Sequence, residues 1–146
     1  MSVARILLDT NVLSELMRPR PEPQVLDWFS VQSPHTRFVI SAITQAEILL
    51  GIALLPAGKK RSALTEVAQA MFEQEFHGLN LAFDERAAPL YATIVALRGR
   101  RGLPISVEDA QIAAIASHHG VPLATRNTKD FVHVPGLTLI NPWERA

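Results

Sequence analysis

Four acidic residues of the 146-residue chain stand where a carboxylate is either costly to bury or well placed to act: Asp9, Glu47, Asp109 and Asp130. Asp9 closes the apolar run Ile6, Leu7, Leu8 and precedes Thr10 and Asn11. It therefore falls where a buried strand leaves a sheet and a helix begins. Glu47 is the only charged residue between Ala42 and Leu55, a stretch otherwise rich in Ile, Leu and Ala. At helical spacing its neighbours are Ile43, Thr44, Leu50 and Gly51, and an unpaired carboxylate buried among them is unfavourable unless it keeps its proton or meets a cation. Asp109 lies in the first turn of a helix opened by Ser106, where the helix dipole favours negative charge. Its neighbour Glu108 is about 100° away around the axis and cannot share that face. Asp130 sits in the polar segment from Thr125 to Phe131 together with Asn127, whose amide carbonyl is a neutral oxygen donor.

Each acid also has an ordinary structural explanation. Asp9 can cap a helix, Glu47 can occupy the exposed stripe of an otherwise buried helix, Asp109 can form a capping box with Ser106, and Asp130 can be a solvated turn residue. Their joint placement argues for a shared site. Oxygen donors of this kind suit Mg²⁺ or Mn²⁺, ions held by one or two carboxylates plus water or a substrate phosphate. The matching reaction is hydrolytic phosphoryl transfer on a phosphodiester.

The elements that must bring these side chains together alternate along the chain. Strands are predicted at Arg5 to Asp9, Phe38 to Ile40, Leu79 to Leu81, Val121 to Thr125 and Leu137 to Ile140. Between them the apolar spacing predicts helices from Asn11 to Met17, Gln24 to Val31, Ala42 to Leu55, Lys59 to Phe76, Asp84 to about Arg101, and Ser106 to Gly120. The proline-rich segment Arg18 to Pro23, Pro56 to Gly58, and Gly102 to Pro104 break the helical pattern. Strands separated by helices imply a parallel sheet covered on both faces, with ligands at the strand C-termini. The expected architecture is a three-layer α/β/α sandwich forming one domain over residues 1–146.

Composition narrows the class. Hydrophobic residues make up 48% and charged residues 19%, a globular balance. With 14 basic and 14 acidic side chains the formal net charge is zero, so attraction to nucleic acid must be local. The absence of cysteine removes disulfides and thiolate chemistry and suits a reducing compartment. The opening residues lack the apolar length of a signal peptide or a membrane span, so a cytoplasmic protein without a membrane partner is expected. Arg18, Arg20, Lys59, Lys60, Arg61, Arg98, Arg100, Arg101, Arg126 and Lys129 are candidate phosphate contacts. Arg126 and Lys129 are favoured among them because they share a loop with the suspected site.

Four blocks taken together, Leu7 to Leu13, Ser41 to Glu47, Glu108 to Ala114 and Thr125 to Phe131, resemble a PIN domain, and more narrowly a VapC-type toxin of the FitB-like branch. The similarity runs from the first strand to Asn141, Pro142 and Trp143. The resemblance implies a PIN-like fold, Mg²⁺- or Mn²⁺-dependent endoribonuclease activity, a homodimeric toxin, and inhibition by a small VapB- or FitA-like antitoxin through which DNA is bound indirectly. The family's acidic positions fall on Asp9, Glu47 and Asp109, with the fourth in the segment from Thr125 to Phe131, at Asn127 or Asp130. Asp9 and Asp109 are then the expected metal ligands, with Glu47 and Asp130 completing the catalytic charge cluster.

Other readings fit less well. Asn11 occupies the place where a haloacid-dehalogenase-like phosphatase needs its second carboxylate, and neither a receiver domain's acidic pair nor a P-loop or GxGxxG motif occurs. A non-catalytic PIN-like module acting through a partner protein is the alternative from a different class.

Overall fold

The computed structural model of the chain describes residues 4–144; residues 1–3 and 145–146, part of the expected single domain, lie outside the described residues. Five parallel strands, β1 (Arg5–Leu8), β2 (Arg37–Ser41), β3 (Asn80–Leu81), β4 (Leu123–Ala124) and β5 (Leu139–Ile140), form a sheet of order β3-β2-β1-β4-β5. The chain builds outward from β1 to β2 and β3, then crosses back to place β4 and β5 on the other side. Strand order thus reverses between β1 and β4, the crevice where open parallel sheets bind ligands.

Both faces of the sheet are covered because side chains alternate along each strand. Leu7, Val39 and Leu123 point into a core shared with α5 (Ala88–Arg100) and α6 (Val107–His119). Ile6, Leu8, Ile40 and Ala124 point the opposite way, into a core shared with α1 (Thr10–Leu16), α3 (Ala42–Ala53) and α4 (Lys59–Ala70). Helix α2 (Pro23–Ser30) adds Trp28 and Phe29 to that second core. These are the three layers that the alternation of elements predicts.

Local chemistry sets the ends that matter. Asp9 and Ser41 accept backbone N–H bonds at the starts of α1 and α3, and Ser106 does the same for α6. Gly120 ends α6 in the left-handed conformation, at φ 63°, that glycine adopts without a Cβ clash. Two expected helices differ in form. The helix expected from Lys59 to Phe76 is α-helical only to Ala70 and then widens into a π turn, Met71–Glu75, with the Phe76 N–H bonded to the Met71 carbonyl at 2.9 Å. The widened turn lets Met71 and Phe76, five residues apart, both face the core. Asp84 accepts the N–H groups of Arg86 and Ala87 in a turn, and the regular helix begins only at Ala88.

Leu7 is fully buried on the central strand, so Leu7→Ala is expected to cost about 3 kcal/mol of unfolding free energy, read as a lower midpoint at unchanged slope in urea denaturation.

Candidate active site

Strand register places the first acid. Leu8 pairs with Ala124, so Asp9 and Thr125 leave adjacent strands side by side at the point where strand order reverses. The Thr125 hydroxyl donates to Asp9 Oδ2 at 2.7 Å, Asn11 Nδ2 donates to the same oxygen at 3.2 Å, and the Thr10 N–H donates to Oδ1 at 2.8 Å. Asp9 is only 4% exposed. Burial raises the proton affinity of its carboxyl, the bonds from Thr125 and Thr10 lower it, and the Glu47 charge raises it; the balance is upward. Asp9 is therefore both the cap of α1 and a member of an acidic cluster.

Asp109 supplies the electrostatic evidence for that cluster. Its backbone N–H is held by Ser106 Oγ at 3.1 Å, which fixes the first turn of α6, and its carboxylate is half-buried. Its pKa is pushed up to about 6, chiefly by burial and then by the charge of Asp9, with further pushes from Asp130 and Glu47 against the lowering effect of Ser106. One carboxyl thus senses the other three, although they come from widely separated parts of the chain. Asp130 lies on a single 3₁₀ turn, Thr128–Phe131, pinned by the buried Phe131 ring. Asn127 is exposed, and its backbone N–H is bonded to Thr125 Oγ1 at 3.1 Å.

Of the two readings of Glu47, burial among apolar side chains or a place on an exposed stripe of its helix, the structure is nearer the second. Glu47 is half-buried, its neighbour Leu50 is 59% exposed, and its Oε1 accepts a 2.7 Å bond from the Thr10 hydroxyl. Thr10 Oγ1 also lies 2.9 Å from Thr44 Oγ1, so a chain of hydroxyls ties Glu47 to the start of α1. The apolar look of α3 has a different cause: one of its faces is exposed. Among the described residues no three Asp, Glu or His side chains stand close enough to enclose an ion by themselves. Asp9, Glu47 and Asp109 therefore do not form a ready-made cage.

The donors nonetheless fit a hard divalent cation. All are oxygens, burial and mutual repulsion raise the proton affinity of Asp9 and Asp109, and among the described residues no Lys or Arg forms an ion pair with any of the four acids. Two carboxylates supplemented by water and a phosphate is the usual way such an ion is held.

Several side chains bonded to the candidate acids, directly or through Thr10, were not marked by sequence reasoning. Thr10, Asn11, Thr44 and Thr125 are uncharged and common, and their role is visible only in their bonds. Thr125 carried one usable signal, since it follows Leu123 and Ala124 as Asp9 follows Leu7 and Leu8. The basic candidates divide. Arg126 is exposed beside the site, with its N–H on Asn11 Oδ1 at 3.1 Å and its guanidinium 5.1 Å from the Trp143 ring centroid. Arg18 is instead paired with the buried Glu15 at 3.0 Å. Arg98 is 4% exposed and bonded to backbone carbonyls, so it is not a surface phosphate contact.

A parallel α/β sandwich that gathers acids at the crevice beside its central strand is the architecture of a PIN domain. The chain belongs to the PIN domain family, whose profile matches residues 6–137. Within that family it is 41% identical over 141 residues to the VapC ribonuclease Y4jK of Sinorhizobium fredii, covering 97% of this chain and 99% of that one. It is also 41% identical over 138 residues to the toxin FitB of Neisseria gonorrhoeae, covering 94% and 98%. Among solved structures, that of FitAB bound to an IR36 DNA fragment superposes with a TM-score of 0.86 at 40% identity, covering 97% of each chain.

The folded chain holds the Asp109 proton more tightly than the unfolded chain, so stability falls as pH rises from 3.8 to about 6 and the penalty stands in full at pH 7. Asp109→Asn is therefore expected to raise the Tm of the metal-free protein by roughly 3 °C at neutral pH, a value discounted for solvent screening, and to leave it little changed at pH 3.5. Thermal melts at the two pH values check this; an equal shift at both would contradict it.

Proposed function

We propose that this chain is a cytoplasmic, divalent-cation-dependent endoribonuclease, a single PIN domain acting as the toxin of a type II toxin–antitoxin pair. The observation that carries the reading is the acidic crevice, in which Asp109 is raised by burial and by the three other carboxylates while no described basic side chain neutralises them. The ribonuclease and toxin relatives, similar along nearly the whole chain, support it.

Asp9 and Asp109 would hold Mg²⁺ or Mn²⁺, and the chemistry such an ion supplies when bound is to make water more acidic and to stabilise charge developing on the phosphate. The rest falls to the protein. Thr125 and Asn11 orient the Asp9 carboxylate without cancelling its charge. The Thr10 hydroxyl occupies Glu47 Oε1, which leaves Oε2 to orient the attacking water and accept its proton. Asp130 adds the fourth charge in preference to Asn127, whose side chain is neutral and exposed. Arg126, oriented over Trp143, and Lys129 contact the RNA backbone.

The partners follow from surfaces beside this crevice. A groove of about 460 Å³ between α1, α3 and α4 is lined by Met17, Ile48, Ile52 and Leu64 and opens onto Thr10 and Glu47. An apolar segment of a VapB- or FitA-like antitoxin seated there covers Glu47 and inhibits the enzyme, with DNA reached only through the antitoxin. Leu50 and Leu54 on α3, 59% and 75% exposed, are apolar surface that a homodimer would cover. No described helix is long and apolar enough to cross a membrane.

The decisive assay is cleavage of RNA by the purified, partner-free chain with Mn²⁺, with EDTA, and as Asp9→Asn. Cleavage is expected to need the ion and to fall at least about a hundredfold in the variant. Metal-independent cleavage would overturn the mechanism, and inactivity on every RNA tried would favour the non-catalytic module. Arg126→Ala is expected to weaken RNA binding across sequences and to reduce the slope of log affinity against log salt by about 1.

A further inference from the structure

Arg98, in the last turn of α5, is 4% exposed, and among the described residues no carboxylate lies within ion-pair distance of it. Its partners are three backbone carbonyls. Nε donates to Leu103 O at 2.7 Å, and Nη1 donates to Asp130 O at 2.7 Å and to Val132 O at 3.0 Å. A buried cation compensated only by carbonyls is a poor device for stability alone, since an apolar side chain of similar volume avoids the desolvation. What distinguishes the arrangement is the pair of segments it joins. Leu103 follows the reversal at Gly102, where φ is 71°, and leads through Ser106 into the turn of α6 that carries Asp109. Asp130 and Val132 flank the buried Phe131, at the end of the 3₁₀ turn that carries Asp130.

A second observation concerns the same turn. His133, directly after Val132, has φ 63°, a left-handed conformation that a residue with a Cβ adopts only where its surroundings hold it. The bond from Arg98 to the Val132 carbonyl is made at the preceding peptide unit, where it can hold that geometry. The planar guanidinium, with donors fixed in direction, spans two segments at once; a lysine ammonium is a point donor on a flexible stem and cannot reproduce the fork.

We infer that Arg98 is a positioning residue of the acidic crevice, bracketing the turn that carries Asp130 against the segment leading to Asp109. Its geometry stands independently of the proposed nuclease function, and its consequence for metal binding rests on that function.

The test uses the full, metal-free chain as wild type, Arg98→Met, Asp130→Asn and the double variant. Hydrogen exchange of residues 128–134 is expected to quicken about tenfold in Arg98→Met while residues 110–116 of α6 keep their protection. Mn²⁺ affinity, measured by calorimetry, is expected to fall about tenfold in each single variant and no further in the double variant. A role confined to general stability would instead loosen α6 equally and make the two losses multiply; either result overturns the inference, as does unchanged exchange in the turn. Should Arg98→Met fail to fold, Arg98→Lys takes its place in the same measurements, with partial effects expected. A wild-type chain that binds no Mn²⁺ refutes the metal-dependent reading, and the exchange of the turn then decides the role of Arg98 by itself.

Discussion

Like charges gathered at one end of a sheet repel, and each also loses solvation there. Asp9, Glu47 and Asp130 are nevertheless held within electrostatic reach of Asp109, and the rest of the architecture can be understood as the scaffold that makes this possible. Packing of two apolar cores on opposite faces of the sheet supplies the rigidity. The reversal of strand order between β1 and β4 supplies the opening. Helix starts supply favourable dipoles for Asp9 and Asp109, which offset part of the repulsion.

The neighbours of these acids show how a negative pocket is stabilised without being neutralised. Hydroxyls and amides from Thr10, Asn11 and Thr125 donate to the carboxylates and fix their orientation while leaving their formal charge in place. Glu15 is the instructive contrast. It is 6% exposed, yet it accepts two bonds from Arg18 and one from the Glu22 N–H, so its charge is satisfied internally and it anchors the proline-rich segment after α1. Burial alone does not separate a structural acid from a chemical one; the charge of its partners does. By that criterion Glu15 is a structural acid, whereas the four crevice acids have no Lys or Arg paired with them among the described residues.

The same distinction applies to the basic side chains. Arg98 and Arg126 were both candidate phosphate contacts, with Arg126 favoured for its place in the Thr125 to Phe131 loop, and the fold turns Arg98 inward onto carbonyls while it leaves Arg126 exposed beside Trp143. A charge in sequence carries no information about which carbonyls or rings will surround it. That information belongs to the packing of α5 against the turn around Phe131, a contact between segments far apart in the chain.

The order of elements and the parallel α/β class were legible from local signals, apolar runs for strands and helical spacing for α3 and α6, and the candidate acids stood out because they fall where elements meet, with the fourth left open between Asn127 and Asp130. Cap chemistry also located the starts of α3 and α6 correctly, because Ser41 and Ser106 act through bonds only three residues away. The strand order, the extent to which the apolar side chains Leu50 and Leu54 of α3 are exposed, the π turn before Phe76, the hydroxyls around Asp9 and the inward turn of Arg98 were not legible. Each depends on which distant segments become neighbours, and a one-dimensional pattern records what a residue is able to do but not what it will touch. Sequence by itself determined the chemical kinds and approximate places of the parts; tertiary structure decided which acids are paired with a basic side chain within the protein, as Glu15 is with Arg18, and which are not.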